Sequence, residues 1–335
     1  MNKELLKIND LKVSFFTPAG EVKAVNGISY SLERGKVLGI VGESGSGKSV
    51  SSYSIMGLID KPGKIVGGSI IFDGKDVSTM TKAERQNFAG NEVAMIFQDP
   101  MTCLNPVFTI GNQIAESLVH KYGKISKEEI KKRSIELLTL VGINEPEKRL
   151  AQYPHQFSGG MRQRVMIAMA LAGSPKLLIA DEPTTALDVT IQAQILDLLK
   201  NIQKKTGMAI ILITHDLGIV ADMADDVIVM YGGKIVEQGS VYTIFNNPRH
   251  PYTKGLLRSL PDLSKKGEKL IPIQGNPIDL LNLPKGCAFA PRCENCMKVC
   301  LNHMPKEYSI EDGHRVSCWL YDSRANNNTE VKSND

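Results

Sequence analysis

The sequence lacks any long apolar segment. No run of about 18 apolar residues occurs among its 335 residues, so no part of the chain is predicted to span a bilayer. The N-terminal stretch MNKELL also lacks the apolar core of a signal peptide. We therefore expect the protein in the cytoplasm, where any work at a membrane would require an anchor supplied by another molecule.

A strong excess of charge of one sign is absent as well. The chain has 40 Lys and Arg residues against 36 Asp and Glu residues, which leaves a net charge of +4. So small an excess does not favour nucleic acid or an anionic membrane as the main partner. Hydrophobic residues (42%) and charged residues (23%) occur at the frequencies of an ordinary globular protein with one large or two modest domains.

Cysteine is scarce over most of the chain. Cys103 stands alone and is predicted to be a small buried hydrophobic residue. The other five cysteines are confined to residues 287–318, with the spacing C-x5-C-x2-C-x3-C-x17-C. In a reducing compartment, such clustering indicates a metal or cluster site before it indicates disulfides.

The clearest motif that is present spans residues 42–49, GESGSGKS, which fits the phosphate-binding pattern G-x-x-x-x-G-K-[ST]. Residues 36–41 predict a buried strand before it and residues 50–56 a helix after it, a context that a chance glycine-rich loop would not have. The loop N–H groups and the positive end of the helix then point at one anion. Lys48 would reach the β- and γ-phosphates, and the Ser49 hydroxyl would hold Mg²⁺. The residues predicted to contact nucleotide here are Gly42, Ser44, Gly45, Gly47, Lys48 and Ser49.

The pattern over residues 1–240 predicts an α/β fold with a P-loop NTPase core. The first 35 residues predict an antiparallel β subdomain with a turn at 18–20, and residues from about 100 to 173 predict a helical insert. In that insert, Ser126 and Glu129 are placed as a capping box. After residue 240 we expect the sheet to end, leaving an irregular, proline-rich extension at 241–322 and a polar, disordered tail at 323–335.

Two carboxylates, Asp181 and Glu182, follow a predicted buried strand at residues 177–180. Hydrolysis of a metal-bound triphosphate needs a base close to, but distinct from, the carboxylate that holds the metal. We therefore predict that Asp181 belongs to the Mg²⁺ shell and that Glu182 polarises the attacking water. The alternative is an exposed Asp-Glu turn without a role in catalysis.

A second candidate anion site lies at residues 157–164, FSGGMRQR, where two glycines precede a predicted helix. The backbone there can approach a phosphate closely, the helix N-terminus faces it, and Ser158 adds a hydroxyl donor. One chain thus carries two such helix starts, which is more than a single nucleotide needs from one subunit.

Together these motifs resemble the ATP-binding-cassette family. Residues 157–163 are similar to its signature, usually Leu-Ser-Gly-Gly-Gln, although Phe157 and Met161 depart from it. Gln98 resembles the Q-loop glutamine, residues 186–188 (ALD) resemble the D-loop, and His215 resembles the switch histidine. The motifs occur in the family's order across residues 15–239, so the match is specific.

The resemblance implies a head-to-tail dimer in which the P-loop of one subunit and the signature of the other sandwich each ATP. His215 would contact the γ-phosphate and help to orient the water near Glu182. Gln98 would bind at the Mg²⁺ site and relay to a transmembrane partner. Phe15, which we favour over Phe16, would stack on the base; the alternative is that both are core residues. The remaining residues implied to contact nucleotide are Ser158, Gly159, Gly160 and Asp188.

The extension resembles the tail of ATPases that drive peptide and nickel importers, at residues 247–257 and 286–293. In that family four cysteines hold a [4Fe-4S] cluster, and the matching positions are Cys287, Cys293, Cys300 and Cys318. From chemistry alone, thiolates suit a cluster or zinc, but the spacing is not the doubled C-x-x-C of a zinc ribbon. Zinc and free thiols remain alternatives, and the extra Cys296 could substitute for a neighbour.

The resemblance implies an ATPase subunit at the cytoplasmic face of the cell membrane that energises the import of dipeptides or oligopeptides, or alternatively of nickel or another solute. The implied partners are two transmembrane permease subunits, a second ATPase subunit of the same or a homologous chain and, indirectly, an extracytoplasmic solute-binding protein. A DNA-repair or chromosome ATPase would carry a long insert between the two motifs. A two-cassette translation factor would carry a second P-loop. Neither feature is present.

Overall fold

The computed structural model describes residues 3–185, 187–260, 272–311 and 313–326. Its strands are β1 (Glu4–Thr17), β2 (Gly20–Glu33), β3 (Val37–Val41), β4 (Gly63–Phe72), β5 (Lys75–Asp76), β6 (Val93–Ile96), β7 (Leu177–Asp181), β8 (Ala209–Ile213), β9 (Asp226–Tyr231), β10 (Lys234–Ser240), β11 (Tyr308–Glu311) and β12 (His314–Val316). Its helices are α1 (Lys48–Met56), α2 (Lys82–Phe88), α3 (Pro100–Cys103), α4 (Ile110–Tyr122), α5 (Lys127–Leu140), α6 (Pro146–Arg149), α7 (Gly159–Leu171), α8 (Val189–Thr206), α9 (Leu217–Met223), α10 (Val241–Asn246), α11 (Pro251–Arg258), α12 (Lys298–Asn302) and α13 (Ser323–Asn326).

The described residues fall into two compact units. One, which we call the signature unit, combines the parts of the chain at residues 1–6, 31–37 and 71–214. The other, which we call the P-loop unit, combines residues 7–30, 38–70 and those from 215 onward. Each unit is therefore assembled from segments that are distant in the sequence.

The signature unit is built on parallel strands, with β7 between β6 and β8. All residues of β7 and β8 are buried, as expected for apolar strands covered on both faces. The helices α4, α5 and α7 of the predicted insert pack on one another, with Ile114, Leu138 and Val165 in their core.

The helix start at Ser126 differs in part from the predicted capping box. The Ser126 hydroxyl accepts the N–H of Glu129, which is the first half of the box. The second half is missing because the Glu129 carboxylate instead accepts a hydrogen bond from Arg133, 2.7 Å away on the next turn. A complete box forms at α2, between Thr81 and Glu84. The i, i+4 ion pair has therefore replaced one capping interaction.

The P-loop unit holds most of the predicted N-terminal hairpin, which turns at residues 18–19 between β1 and β2. In the same unit β3 pairs in parallel with β9, and β9 pairs antiparallel with β10 across two glycines. Gly232 and Gly233 both have positive φ, 56° and 75°, the backbone that a tight two-residue hairpin turn requires.

The prediction that the sheet ends near residue 240 is wrong. The short strand β12 pairs antiparallel with β10, with Glu237 opposite Val316, and β11 adds to its other side. Little in the sequence predicts this pairing, because a three-residue strand is too short to show an alternating pattern. Of the predicted tail, Ser323–Asn326 form a turn of helix and residues 327–335 lie outside the described residues.

Within the described ranges, no helix combines the length and apolar character needed to cross a membrane. The longest, α8, is amphipathic instead: Ile195, Leu199 and Ile202 are buried at helical spacing.

Candidate functional site

The P-loop follows β3 directly, and its backbone is held too closely for side chains at two of its glycines. A Cβ atom on Gly42 would lie 2.2 Å from the carbonyl oxygen of Met230, and one on Gly47 would lie 2.3 Å from that of Ala24. Both residues also have positive φ, 151° and 99°. Glycine is therefore required at these positions for the loop to lie against its neighbours.

Lys48 begins α1 and turns its amine back over the loop. Its side chain is buried, and Nζ donates to the carbonyl oxygens of Gly42 and Glu43, both at 2.8 Å. The N-cap, Gly47, has no side chain, and the first turn of α1 contains no acidic residue. The positive end of the helix and the Lys48 ammonium thus face the same region, which suits a phosphate.

Two further predicted nucleotide-site residues, Phe15 and His215, belong to the P-loop unit. Phe15 is half-buried and packs beside Gly63, where an added Cβ would lie 2.7 Å from the ring. Its neighbour Phe16 is 51% exposed. His215 is exposed and precedes α9, whose N-terminus is capped by Asp216.

The signature unit places three predicted residues at the carboxyl ends of its parallel strands. Asp181, the last residue of β7, is buried, and Glu182 follows it. Gln98 follows β6 and donates from Nε2 to the Glu182 carboxylate at 3.0 Å. Thr185 donates to the same carboxylate oxygen at 2.9 Å. One oxygen of the Glu182 carboxylate therefore accepts two hydrogen bonds, which hold the side chain in place.

The backbone of Glu182 is also constrained. Its φ of 48° lies in the left-handed region, which is uncommon for a residue other than glycine, and its N–H donates to the carbonyl of Ile213 at 2.9 Å. Such a conformation persists only where neighbouring contacts impose it, and it often marks a functional residue. Thr185 was not predicted as a site residue, although its place three residues after the carboxylate was the available signal.

The signature helix α7 presents its start to solvent and packs its back on the same unit. Ser158 is the N-cap and accepts the N–H of Met161 at 3.3 Å; Ser158 and Gly159 are exposed. Gly160 is buried, and a Cβ there would lie 2.6 Å from Cγ2 of Ile191 in α8. Gln163 donates to the carbonyl oxygen of Pro183 at 2.6 Å, which links α7 to the segment after Glu182.

Asp188 caps α8, because its carboxylate accepts the N–H of Ile191 at 2.9 Å. Its D-loop neighbour Ala186 lies outside the described residues. The predicted nucleotide residues thus divide between the units, and the roles that need both units stay predictions. The signature unit holds Gln98, Ser158, Gly159, Gly160, Asp181, Glu182 and Asp188.

The cysteines of the extension gather in the P-loop unit. Cys300 and Cys318 are buried, and the N–H of Cys287 donates to the carbonyl oxygen of Cys300 at 2.7 Å. Burial, followed by the charges of Cys300 and Cys293, raises the pKa of Cys287 to about 11. Burial, together with the charges of three other cysteines, raises the pKa of Cys318 to about 12. We call the four cysteines of the predicted ligand set the thiol group: Cys287, Cys293, Cys300 and Cys318.

Cys296, which lies outside this set, is exposed but interacts with both Cys300 and Cys293. Cys103, predicted to be buried, is partly exposed. Among the described residues, no set of three or more His, Cys, Asp or Glu side chains is arranged to hold a single metal ion. The donor chemistry of the four thiols suits a soft metal or a cluster.

Two protein families match different parts of this chain. Residues 25–185 match the family described as "ABC transporter", and residues 236–300 match "Oligopeptide/dipeptide transporter, C-terminal region". The oligopeptide transport ATP-binding protein OppD of Bacillus subtilis is 58% identical over 94% of this chain and 88% of its own length. The dipeptide transport ATP-binding protein DppD of Escherichia coli is 52% identical over 94% of this chain and 96% of its own.

Solved structures show the same fold. A dimeric, post-hydrolysis structure of the ATP-binding cassette MJ0796 with ADP and Pi is 28% identical, with a TM-score of 0.64, over 71% of this chain and 99% of that one. The cassette cbiO1 of Clostridium perfringens is 31% identical, with a TM-score of 0.63, over 73% and 92%. This chain therefore belongs to the ABC transporter family, among the ATP-binding proteins of oligopeptide and dipeptide transport.

Proposed function

We propose that this chain binds ATP with Mg²⁺ and hydrolyses it to drive the import of dipeptides or oligopeptides. The observation that carries the proposal is the Glu182 carboxylate, which Gln98 and Thr185 hold next to the buried Asp181. A base fixed beside a metal-binding carboxylate is what hydrolysis of a metal-bound triphosphate requires. The relatives named for peptide transport support peptides as the solute rather than nickel.

In this proposal Glu182 accepts a proton from the attacking water, whose oxygen bonds to the γ-phosphorus while the bond to ADP breaks. Lys48 neutralises charge on the β- and γ-phosphates, and His215 contacts the γ-phosphate. Phe15 stacks on the adenine ring. The residues assigned to the Mg²⁺ shell are Ser49, Gln98 and Asp181.

The active form is proposed to be a head-to-tail pair of ATPase subunits, with Ser158 and Gly159 facing the nucleotide on the other subunit. The exposed start of α7 supports this arrangement, as does the dimeric structure of a related cassette. The second subunit is a copy of this chain or a homologous one. Two transmembrane permease subunits would place the pair at the cytoplasmic face of the membrane, with a solute-binding protein acting on the other side.

The thiol group is proposed to hold a [4Fe-4S] cluster through Cys287, Cys293, Cys300 and Cys318. Thiolates are the usual ligands of iron–sulfur clusters, and the sequence spacing C-x5-C-x2-C-x3-C-x17-C is not the doubled C-x-x-C of a zinc ribbon. Both points support the cluster over zinc. When bound, the cluster would cross-link segments of the extension that lack a large core of their own.

The ATPase assignment is tested with Glu182→Gln, which keeps the shape of the side chain but removes the base. We expect hydrolysis to fall by about 10²–10⁴-fold while ATP binding persists, because general bases contribute rate accelerations of that size. Glu136→Gln, on the exposed face of α5, is the matched control and should leave both hydrolysis and ATP binding unchanged. Near-normal turnover in Glu182→Gln would refute the assignment of Glu182.

The cluster assignment is tested by anaerobic purification and visible absorption. Cys318→Ser should remove the iron and the colour, whereas Cys296→Ser should retain both, because Cys296 is outside the proposed ligand set. A colourless protein with stoichiometric zinc, or equal loss of iron in both variants, would contradict it.

A further inference from the structure

One residue of the P-loop, Glu43, contacts three different partners through its three polar groups. Its N–H donates to the Tyr252 hydroxyl at 2.9 Å, and its carbonyl oxygen accepts from Lys48 Nζ at 2.8 Å. Its carboxylate accepts hydrogen bonds from both terminal nitrogens of Arg292, from Nη1 at 2.6 Å and from Nη2 at 3.0 Å. Two of the three partners, Tyr252 and Arg292, come from the extension beyond residue 240.

The Arg292 guanidinium is itself fixed on every side. Its Nε donates to the Gln274 carbonyl at 2.9 Å, and its terminal nitrogens also donate to the Tyr231 hydroxyl and the Ile273 carbonyl, both at 3.3 Å. The side chain is 5% exposed, against 25% for Glu43. The hydrogen-bonded carboxylate of Glu43 raises the pKa of Arg292. A two-pronged, mostly buried ion pair of this kind is strong and specific in geometry.

The same segment ties Glu43 to the thiol group. Arg292 precedes Cys293, and Phe289 follows Cys287 by two residues. The Phe289 ring packs against Tyr252 at 5.3 Å, centroid to centroid. The segment 287–293 is thus attached to the thiol group at both ends and to the P-loop in between.

We propose that Arg292 and Tyr252 are positioning residues for the phosphate site, because by fixing Glu43 they fix the carbonyl that holds Lys48. The affinity for nucleotide then depends on whether the thiol group is intact. The inference rests on the proposed ATP binding. Its physical basis is that the loop N–H groups and Lys48 must converge on one phosphate. A loop freed at Glu43 samples geometries in which they do not.

The positioning role is tested by nucleotide binding to the full chain, measured with a fluorescent ATP analogue and Mg²⁺. We expect Arg292→Gln and Glu43→Gln each to raise Kd about tenfold, which corresponds to about 1.4 kcal/mol. The double variant should be no weaker than either single one, because both changes break the same pair. Tyr252→Phe, which keeps the ring but loses the acceptor, should raise Kd by a smaller factor.

Arg258→Gln is the matched control, since its ion pair with Glu294 lies in the same extension but is exposed. Its Kd should equal that of the unaltered chain. Unchanged Kd in both Arg292→Gln and Glu43→Gln, with unaltered thermal melting, would overturn the positioning role while leaving ATP binding intact. A chain that binds no nucleotide in any form would instead overturn the proposed function.

The link to the thiol group is tested by combining Cys318→Ser with Glu43→Gln. We expect Cys318→Ser to weaken nucleotide binding several-fold in the otherwise unaltered chain and to have little further effect once Glu43 is replaced. An equal effect on Kd in both backgrounds, or none in either, would show that nucleotide binding at the P-loop does not depend on the thiol group through Glu43.

Discussion

Two helices of this protein begin at glycines that suit an anion, and they differ in what surrounds them. α1 begins at Lys48, which is buried, and its loop is pressed against the carbonyl oxygens of Ala24 and Met230. α7 begins beside Ser158 and Gly159, which are both exposed, and only its back is packed, at Gly160. The first site is enclosed by its own chain and carries its own cation. The second is open to solvent at its start, as expected of a surface that another subunit completes.

Removing the cation of the enclosed site gives the largest expected effect. Lys48→Ala should slow hydrolysis by at least about 10²-fold, because it removes a buried charged donor from the reacting phosphates. Nucleotide binding should weaken in parallel, as measured by the fluorescent analogue. Lys131→Ala, an exposed lysine of α5, is the control. Equal activity in the two variants would erase the distinction between the helix starts.

A larger residue at Gly160, on the packed side of the start of α7, should have the next largest effect. In Gly160→Ala the new Cβ would lie 2.6 Å from Cγ2 of Ile191, so either Ile191 or the start of α7 must shift. A displacement near 1 Å can cost about 10²-fold in rate. Hydrolysis should fall by about 10–100-fold and thermal stability should fall too, while Kd for nucleotide at the P-loop stays unchanged. A raised Kd would mean that α7 supports the P-loop of its own chain.

A larger residue at Gly159, on the exposed side of the start of α7, distinguishes the effect of packing within the chain from the effect of contact with another subunit. In Gly159→Ala the nearest atom to the new Cβ would be Leu187 Cδ2 at 3.6 Å, an ordinary contact. Thermal stability should therefore stay the same, yet hydrolysis by the assembled ATPase pair should fall by roughly tenfold, since the methyl group enters the shared interface. Unaltered hydrolysis would argue that this face meets no partner.

Phe15, the residue proposed to stack on the base, is expected to make a smaller contribution to nucleotide binding. Phe15→Ala should raise Kd for ATP by about tenfold, in the range of about 1–3 kcal/mol that aromatic stacking on a base contributes. Phe16→Ala is the control, since Phe16 is 51% exposed. A larger effect in Phe16→Ala than in Phe15→Ala would reverse the assignment.

The smallest effect is expected at the cap of α7. Ser158→Ala removes the hydroxyl that accepts the Met161 N–H, a cap that contributes about 1 kcal/mol. In a unit of this size the melting temperature should fall by about 2–4 °C in differential scanning calorimetry. No change in melting temperature would mean that the hydroxyl does not stabilise the helix start.

Which features could be predicted from the sequence depends on how far apart the contacting residues lie along the chain. Both helix starts were predictable because glycines and a helix, and for α1 also a strand, follow one another within a few residues, so that local chemistry determines the site. The partners of Glu43 were not predictable, because Tyr252 and Arg292 are 209 and 249 residues away and their side chains carry no periodic signal. The same holds for β12, which joins the sheet at β10 through three residues. Contacts of this range depend on the complete fold.

The most direct test of the shared-site account is a photo-cross-link from the open helix start. A benzoylphenylalanine at position 158, in the Glu182→Gln background, is irradiated with and without Mg²⁺ and ATP, using a mixture of isotope-labelled and unlabelled chains together with the other transporter subunits. The account predicts an ATP-dependent cross-link to the P-loop peptide of a different subunit, identified by mass spectrometry. A cross-link that forms only within one chain, or one that is independent of ATP, would contradict it.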